Sequence, residues 1–239
     1  MPESYLQLYQ QGFLPGPKET KEAFFKRISL SRKIIASPEK YITEKSLKGS
    51  IFTPVDRAYI LINNSKYSFF QASSTIILEI EKGVFFALIK SPSKFSSLFV
   101  NAEEVLSHEE VHARRAQFEE PKFEEILAYR TSLSRLRRLL SPVISTNKMV
   151  VTFYLSLLLI PFSFYPFLVL ITWCSVTSFI RQRHIHRCLS YLKTISSTPE
   201  EILMAMTDFE IVHMSKGRLD KIDRFEFRWK FIEELFVDK

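Results

Sequence analysis

The stretch MVVTFYLSLLLIPFSFYPFLVLITWCSVTSFI occupies residues 149–180 and contains no Asp, Glu, Lys, Arg or His. As one straight helix it would be about 48 Å long, whereas the hydrocarbon core of a bilayer is roughly 30 Å thick. Pro161 and Pro166 lie near its centre and favour a kink or a reversal of the chain there. The sequence therefore predicts two short apolar arms, 149–160 and 166–181, that form a transmembrane helical hairpin. A single kinked span is the alternative.

Basic residues lie on both sides of this apolar stretch. The interval between Glu125 and Glu200 contains no acidic residue but nine of the 33 Lys and Arg residues. The remaining 24 basic residues are balanced by 26 acidic ones, so the net charge of +7 comes from this interval. Cations that flank an apolar run are typical of contact with lipid headgroups, and their presence on both sides favours a hairpin with both ends in the cytoplasm. The same distribution argues against nucleic acid as a partner.

The overall composition is that of a folded protein, with 46% hydrophobic and 25% charged residues among 239. Two cysteines are too few for a disulfide framework and indicate a reducing compartment. The N-terminus lacks the basic and apolar segments of a cleavable signal, so the first 100 residues are expected to stay in the cytoplasm. We therefore expect an integral membrane protein with a membrane hairpin at 148–181, which contacts lipid, and cytoplasmic parts at 1–147 and 182–239.

Outside the apolar stretch, helical and strand-like patterns alternate. Residues up to about 50 are polar and weakly helical. β-Branched and aromatic residues at 75–80 and 84–89, separated by Glu81-Lys-Gly83, predict a small β-hairpin. The predicted helices run from the N-cap Asn101 to about Phe118, from Lys122 to Leu140, from Thr198 to Gly217 and from Asp220 to Val237. The fold class is thus α+β and mainly helical, with a metal-site domain, the membrane hairpin and a helical C-terminal segment.

The predicted helix from Asn101 to about Phe118 contains His108-Glu-Glu-Val-His112, an HExxH sequence. Residues four apart lie on one face of a helix, so both imidazoles can bind the same metal ion. Glu109, beside the first histidine, is placed to take a proton from a water molecule at that ion. The motif predicts Zn²⁺ as the cofactor.

A third ligand is expected from the second helix, which would return beside the first after a turn near Phe118. The six residues after His112 advance about 9 Å along the first helix. The five residues from Glu120 to Glu125 then run back about 7 Å in the opposite direction, which brings Glu125 beside His112. Glu124 and Glu125 point about 100° apart on their helix, so only one of them can face the metal. Glu125 is preferred as the ligand, and Glu124 is the alternative.

These residues carry a resemblance. His108-Glu-Glu-Val-His112 followed by Glu125-Ile-Leu-Ala-Tyr129 resembles the HExxH…ExxA signature of gluzincin-type zinc metallopeptidases, notably a membrane-bound group. The resemblance covers about 30 of the 239 residues and implies a zincin-like domain, with His108, His112 and Glu125 as ligands and Glu109 as general base. It contributes to the preference for Glu125. Tyr129 stands where the family has an Asp that supports the ligands, and the twelve residues before Glu125 are fewer than the family usually shows. The same stretch is more faintly similar to chlamydial membrane proteins of unknown activity.

The predicted function is that of a membrane-tethered, zinc-dependent metallopeptidase that hydrolyses a peptide or protein substrate at the cytoplasmic membrane face. Glu109 would take a proton from the attacking water and return it to the leaving amine. For Tyr129 a buried core tyrosine is the favoured interpretation, and the catalytic alternative is that it donates to the oxyanion or braces a zinc-bound imidazole. The alternative function is a non-enzymatic membrane protein that acts on partners or lipid, with an accidental HExxH sequence or a structural metal.

Overall fold

The computed structural model describes residues 4–41, 52–54, 60–64, 74–81, 84–91, 102–135, 138, 152, 154–158, 160–161 and 163–237. The fold is mostly helical with one small mixed sheet, so the predicted α+β class is confirmed. In chain order the elements are α1 (Tyr5–Gln10), α2 (Lys21–Ala36), α3 (Pro38–Tyr41), β1 (Phe52–Pro54), β2 (Ile60–Asn64), β3 (Ser74–Glu81), β4 (Val84–Ser91), α4 (Ala102–Arg114), α5 (Pro121–Arg130), α6 (Tyr165–Leu192), α7 (Pro199–Met204), α8 (Asp208–Met214), a 3₁₀ turn (Leu219–Lys221) and α9 (Phe227–Phe236).

The sheet has the strand order β1-β2-β4-β3. Strands β3 and β4 form the predicted antiparallel hairpin, with Thr75 opposite Ile89 and Ile77 opposite Ala87. Strand β2 runs parallel to β4 and antiparallel to β1, which extends the hairpin to four strands. Strand β3 lies at one end of this order, and no other strand within the described ranges pairs with its outer side.

Strand β4 is buried on both faces. Phe86 and Leu88 pack with Ile34 of α2 on one face, whereas Ala87 and Ile89 join the main core on the other. The alternation follows from the two-residue period of a strand, and a strand covered on both faces reads as a continuous apolar run. Helix α4 contacts β3 and β4. This contact places the HExxH helix against the sheet.

Helix α6 divides into two halves with different surroundings. Its second half supplies Ile185, Cys188 and Leu192 to the core, where they pack with the helices that follow. Its first half leaves the core, and large apolar side chains such as Trp173 and Phe179 are 66% and 68% exposed. The second apolar arm was predicted to end at residue 181. The helix instead continues into the core as far as Leu192.

The first apolar arm is only partly described. Residues 154–158 are helical, the chain turns at 160–161, and α6 begins at Tyr165. In the described parts of the chain we find no helix with both the length and the apolar character needed to cross a membrane. The transmembrane hairpin stays a prediction, since residues 149–151, 153 and 159 of the first arm lie outside the description.

The predicted ends of the paired helices are wrong. Helix α4 ends at Arg114 rather than near Phe118, and the chain then turns through Glu119, whose φ is 50°. Helix α5 ends at Arg130 rather than at Leu140. A turn follows, in which the backbone N–H of residue 131 donates to the carbonyls of residues 128 and 129. The predicted N-cap Asn101 lies outside the described residues.

The C-terminal helix is shorter than its apolar pattern predicted. The segment from Asp220 to Val237 contains the end of the 3₁₀ turn and then α9, which begins only at Phe227. Trp229 and Ile232 of the predicted stripe are buried, whereas Phe225 is 87% exposed. Ile222, which precedes the helix, is also buried in the main core, so among these residues the stripe fails only at Phe225.

Candidate metal centre

Helix α4 presents its two histidines at one point. The Nε2 atoms of His108 and His112 are 3.3 Å apart. This is the arrangement expected for residues that lie one turn apart on a helix. Their side chains are 21% and 15% exposed, so the nitrogens are largely, but not completely, shielded from solvent. Two nitrogen donors therefore converge at the surface of α4 that faces α5.

The start of α5 is held by a carboxylate from a distant part of the chain. Asp208 of α8 accepts hydrogen bonds from the backbone N–H groups of Lys122 and Phe123, at 2.9 and 3.3 Å. The N–H of Asp208 in turn donates to the carboxylate of Glu120 at 2.5 Å. The first N–H groups of a helix have no partner within the helix, so these bonds satisfy them. They fix α5 so that its two glutamates lie opposite the histidines.

Glu125 completes a cluster of three potential metal ligands. Its carboxylate oxygens lie 3.7 Å from Nε2 of His108 and 3.7 Å from Nε2 of His112. The three ligand atoms all lie within 4.8 Å of one another. A tetrahedral zinc ion with bonds of about 2.1 Å separates its ligands by roughly 3.4 Å, so the ion fits among these atoms with only small movements. The donor set of two imidazoles and one carboxylate also suits zinc.

Glu124 has a different position from its neighbour. Its Oε1 atom lies 2.7 Å from Nδ1 of His112, the ring nitrogen that faces away from the cluster. A carboxylate that accepts the Nδ1 proton fixes the tautomer in which Nε2 is free to bind a metal, and it raises the basicity of that nitrogen. Glu125 thus faces both Nε2 atoms, while Glu124 orients one of the rings.

We expect Glu124→Gln to weaken zinc binding by about 10- to 100-fold, because the amide keeps a hydrogen-bond acceptor but loses the negative charge. The dissociation constant is measured by competition with a chromogenic chelator. Glu234→Gln, which changes an exposed carboxylate on α9, is the matched control and should bind zinc like the unmodified chain. Equal affinities for both variants would contradict the orienting role of Glu124.

Helix α5 also supports the other imidazole. The ring of His108 forms a hydrogen bond with the backbone of Ala128. The ring of Tyr129 packs against it edge to face, with the centroids 4.7 Å apart and the planes at 73°. Tyr129 therefore lies where it can brace His108, and its part in a metal site stays a prediction.

The protonation of the two histidines differs. Burial and the positive charge of His112 lower the pKa of His108 to about 4, against the pull of Glu109. Burial alone would lower the pKa of His112 as well, but its hydrogen bond to Glu124 and the charge of that carboxylate raise this pKa above its ordinary value. Burial also raises the pKa of Glu125, and His112 opposes this shift. His108 is therefore neutral at pH 7, the form that binds a metal.

Glu109 is buried between α4 and the edge of the sheet, with 8% of the residue exposed. The hydroxyl of Thr75 on β3 lies 2.6 Å from its Oε2 atom and 3.2 Å from its backbone carbonyl. A hydroxyl has one proton, so Thr75 donates to one of these oxygens at a time. No sequence motif singled out Thr75, because its role depends on the packing of β3 against α4.

Arg115 links the end of α4 to the C-terminal helices. The residue is 1% exposed, and its Nη1 atom donates to the backbone carbonyls of Met204 and Met206 at 2.8 and 2.9 Å. Met204 is the last residue of α7 and Met206 follows the helix, so neither carbonyl has a partner within the helix. A buried arginine is uncommon, and neither its spacing nor its neighbours in the sequence indicated this role.

Comparisons of the chain with protein-family models, with curated proteins and with solved structures find no match. The resemblance to gluzincins therefore stays a prediction. The functional proposal rests on the geometry of the three potential ligands, His108, His112 and Glu125. The carboxylates of Glu109 and Glu124 and the hydroxyl of Thr75 surround them.

Proposed function

We propose that the protein is a membrane-tethered zinc metallopeptidase of the gluzincin type, which hydrolyses peptide bonds at the cytoplasmic face of a membrane. The observation that carries the proposal is the convergence of His108, His112 and Glu125 on one point, with Glu109 buried beside them. A short motif alone would place only the two histidines. Glu125 comes from another helix and depends on the tertiary fold.

The number and exposure of the ligands support a catalytic metal rather than a structural one. Structural zinc sites are usually closed by four protein ligands, whereas catalytic sites use three and keep one position open. Among the described residues the cluster contains three potential ligands, and the Glu125 side chain is 33% exposed. When bound, zinc supplies Lewis acidity that activates water and polarises a carbonyl group. Glu109 would take the proton from the attacking water and transfer it to the leaving amine.

The edge of the sheet supports a peptide as the substrate. Strand β3 is at the end of the strand order, and Thr75 of this strand contacts Glu109 directly. An extended peptide can add to an exposed sheet edge through main-chain hydrogen bonds. A peptide bound along β3 would run past the proposed base and the metal ligands.

The membrane tether is supported by the exposed apolar residues around the turn before α6. Tyr154, Leu158, Tyr165 and Val169 are all at least 61% exposed, as is Trp173. Contiguous exposed apolar side chains of this size are uncommon on the surface of a soluble monomer and mark sites of interaction. We infer that they contact lipid.

The proposal is tested by the metal content of the full-length chain. We expect about one equivalent of zinc in the purified protein, and a loss of most of it in His108→Ala and in Glu125→Ala, because each variant removes one of three ligands. His186→Ala changes an exposed histidine on α6 and is the matched control. Metal content is measured by atomic emission, and circular dichroism checks that the variants fold. Zinc that is absent from the native chain, or unchanged in His108→Ala, would contradict the proposal.

A further inference from the structure

Four basic side chains from three separate elements gather where the exposed half of α6 meets the core. They are Lys122 at the start of α5, Arg183 and Arg187 on α6, and Lys216 just after α8, and all four are exposed. We call these four residues the basic patch. Their closeness is a property of the tertiary fold, since Lys122 and Lys216 lie 94 positions apart in the chain.

The contacts around His184 hold the patch together. Lys122 Nζ lies 5.4 Å from the centroid of the Phe123 ring, which is 6.4 Å from the ring of His184. On its other side, Nδ1 of His184 is 2.6 Å from Oγ of Ser215, the residue before Lys216. Arg183 and Arg187 flank His184 on α6. The patch is therefore assembled around one histidine that joins the three elements.

The side chains of the patch form no direct ion pair within the described parts of the chain, although the charge of Lys122 acts on the Asp208 carboxylate. None of its four side chains has a carboxylate oxygen within 4.0 Å in those parts. The pKa of His184 is lowered by burial and then by the charges of Lys216, Lys122, Arg187 and Arg183. The proximity of four cations to one ring is consistent with a local excess of positive charge.

An exposed apolar surface adjoins the patch. It consists of six residues on the first half of α6, which are Leu168, Val169, Trp173, Val176, Phe179 and Ile180. Ile180 and Arg183 are three residues apart on the same helix, which corresponds to about 4.5 Å along its axis. Apolar side chains thus give way to cations within one helical turn. This order matches the change from acyl chains to headgroups at the surface of a bilayer.

We propose that the basic patch and the apolar surface of α6 form one docking surface for a bilayer that contains anionic lipids. The proposal deepens the membrane tether of the proposed function, because it names the lipid class and the residues that select it. The apolar surface inserts among the acyl chains, and the four cations bind negatively charged headgroups. Each cation near an anionic surface increases partitioning of the protein into the bilayer about fivefold. Two cations, such as Arg183 and Arg187, would together increase it by roughly 10- to 30-fold.

The two tryptophans of the chain provide a direct measurement. Trp173 lies on the apolar surface and is 66% exposed, whereas Trp229 is 2% exposed in the core. Insertion into lipid therefore changes the emission of Trp173 and leaves that of Trp229 constant. Full-length protein is diluted from detergent into vesicles of phosphatidylcholine, or of phosphatidylcholine with 30% phosphatidylserine. We expect a blue shift of the emission, with a half-maximal lipid concentration at least tenfold lower for the anionic vesicles.

Charge variants test the patch itself. Arg183→Gln/Arg187→Gln is expected to lose most of the preference for anionic vesicles. Lys193→Gln/Lys230→Gln has the same net charge but changes exposed lysines outside the patch, and it should keep the preference. Trp173→Phe is expected to abolish the shift. Raised ionic strength should weaken binding to the anionic vesicles more than binding to the neutral ones.

Three results would overturn the proposal. They are equal binding of the native chain to both kinds of vesicle, equal lipid preference in the two double variants, and a Trp173 shift that depends on protein concentration without lipid, which would indicate pairing of two chains. Zinc content separates this proposal from the metallopeptidase, because Arg183→Gln/Arg187→Gln changes no ligand and should keep its zinc. A chain that retains zinc but shows no lipid preference would lose only the docking surface.

Discussion

Glu109→Gln is expected to lower peptide hydrolysis by about 10²- to 10⁴-fold and to leave zinc binding unchanged. Glutamine has nearly the same shape as glutamate and can still accept the hydrogen bond from Thr75, which lies 2.6 Å from the carboxylate in the native chain. It cannot take a proton from water at neutral pH. The variant therefore removes the proposed base and keeps the packing around it.

Hydrolysis is measured as the release of fluorescence from labelled casein, and zinc content is measured on the same samples. Glu110→Gln changes the neighbouring carboxylate, which lines a separate pocket with Arg114 and Leu127, and serves as the matched control. Hydrolysis that persists in Glu109→Gln would refute the assigned base. Zinc retained in a native chain that cleaves nothing would instead favour a structural metal and the non-enzymatic function.

Glu210→Leu is expected to have the largest effect on stability, a loss of about 3–5 kcal/mol in the free energy of unfolding. Glu210 and Arg228 are both buried, and the carboxylate accepts two hydrogen bonds from the guanidinium at 2.9 and 2.7 Å. It also accepts bonds from Nε1 of Trp229 at 2.6 Å and from the N–H of Thr207 at 2.7 Å. Its removal leaves the buried Arg228 with Glu226, at 3.0 Å, as its remaining carboxylate partner among the described residues, and it takes an acceptor from two further donors.

The loss is measured by urea unfolding followed by circular dichroism. Glu233→Leu removes a partly exposed carboxylate that pairs with Arg224 at 2.7 Å, and this control should cost at most about 1 kcal/mol. Glu210→Leu/Arg228→Met should recover part of the loss, because it also removes the buried charge, which Glu226 alone would otherwise balance. A single variant that is no less stable than the control would show that the buried pair contributes nothing.

The ion pair also determines how this stability depends on pH. Burial would raise the pKa of Glu210, but the hydrogen bonds and charge of Arg228 lower it below its ordinary value. A carboxyl group whose pKa is lower in the folded state stabilises the fold above its unfolded pKa. This contribution is therefore complete at neutral pH and is lost only as the pH falls through the folded-state pKa.

The cluster of potential metal ligands could be predicted from the sequence where local geometry determines it. The four-residue spacing of His108 and His112 fixes their common face on any helix. The position of Glu125 followed from the lengths of a helix and its return, although α4 ends four residues earlier than predicted. This error in the end of α4 had little effect on the predicted position of Glu125, because the chain reverses over 115–120, close to the predicted turn.

The supporting residues could not be predicted, because they belong to elements that are distant in the sequence. Thr75 acts from a strand that precedes Glu109 by 34 residues, and Asp208 caps a helix 86 residues before it. Neither belongs to a motif with fixed spacing. The end of α5 was predicted wrongly for a similar reason. Helix propensity alone does not indicate where the tertiary contacts that stabilise a helix end.

The bonds of Asp208 and Arg115 have a consequence for the modularity of the chain. Asp208 anchors the start of α5, and Arg115 joins the end of α4 to the carbonyls after α7. Residues from α1 to α9 belong to a single core. The segments before and after the apolar stretch are thus interdependent, and we expect the candidate metal centre to form only when the last helices are in place.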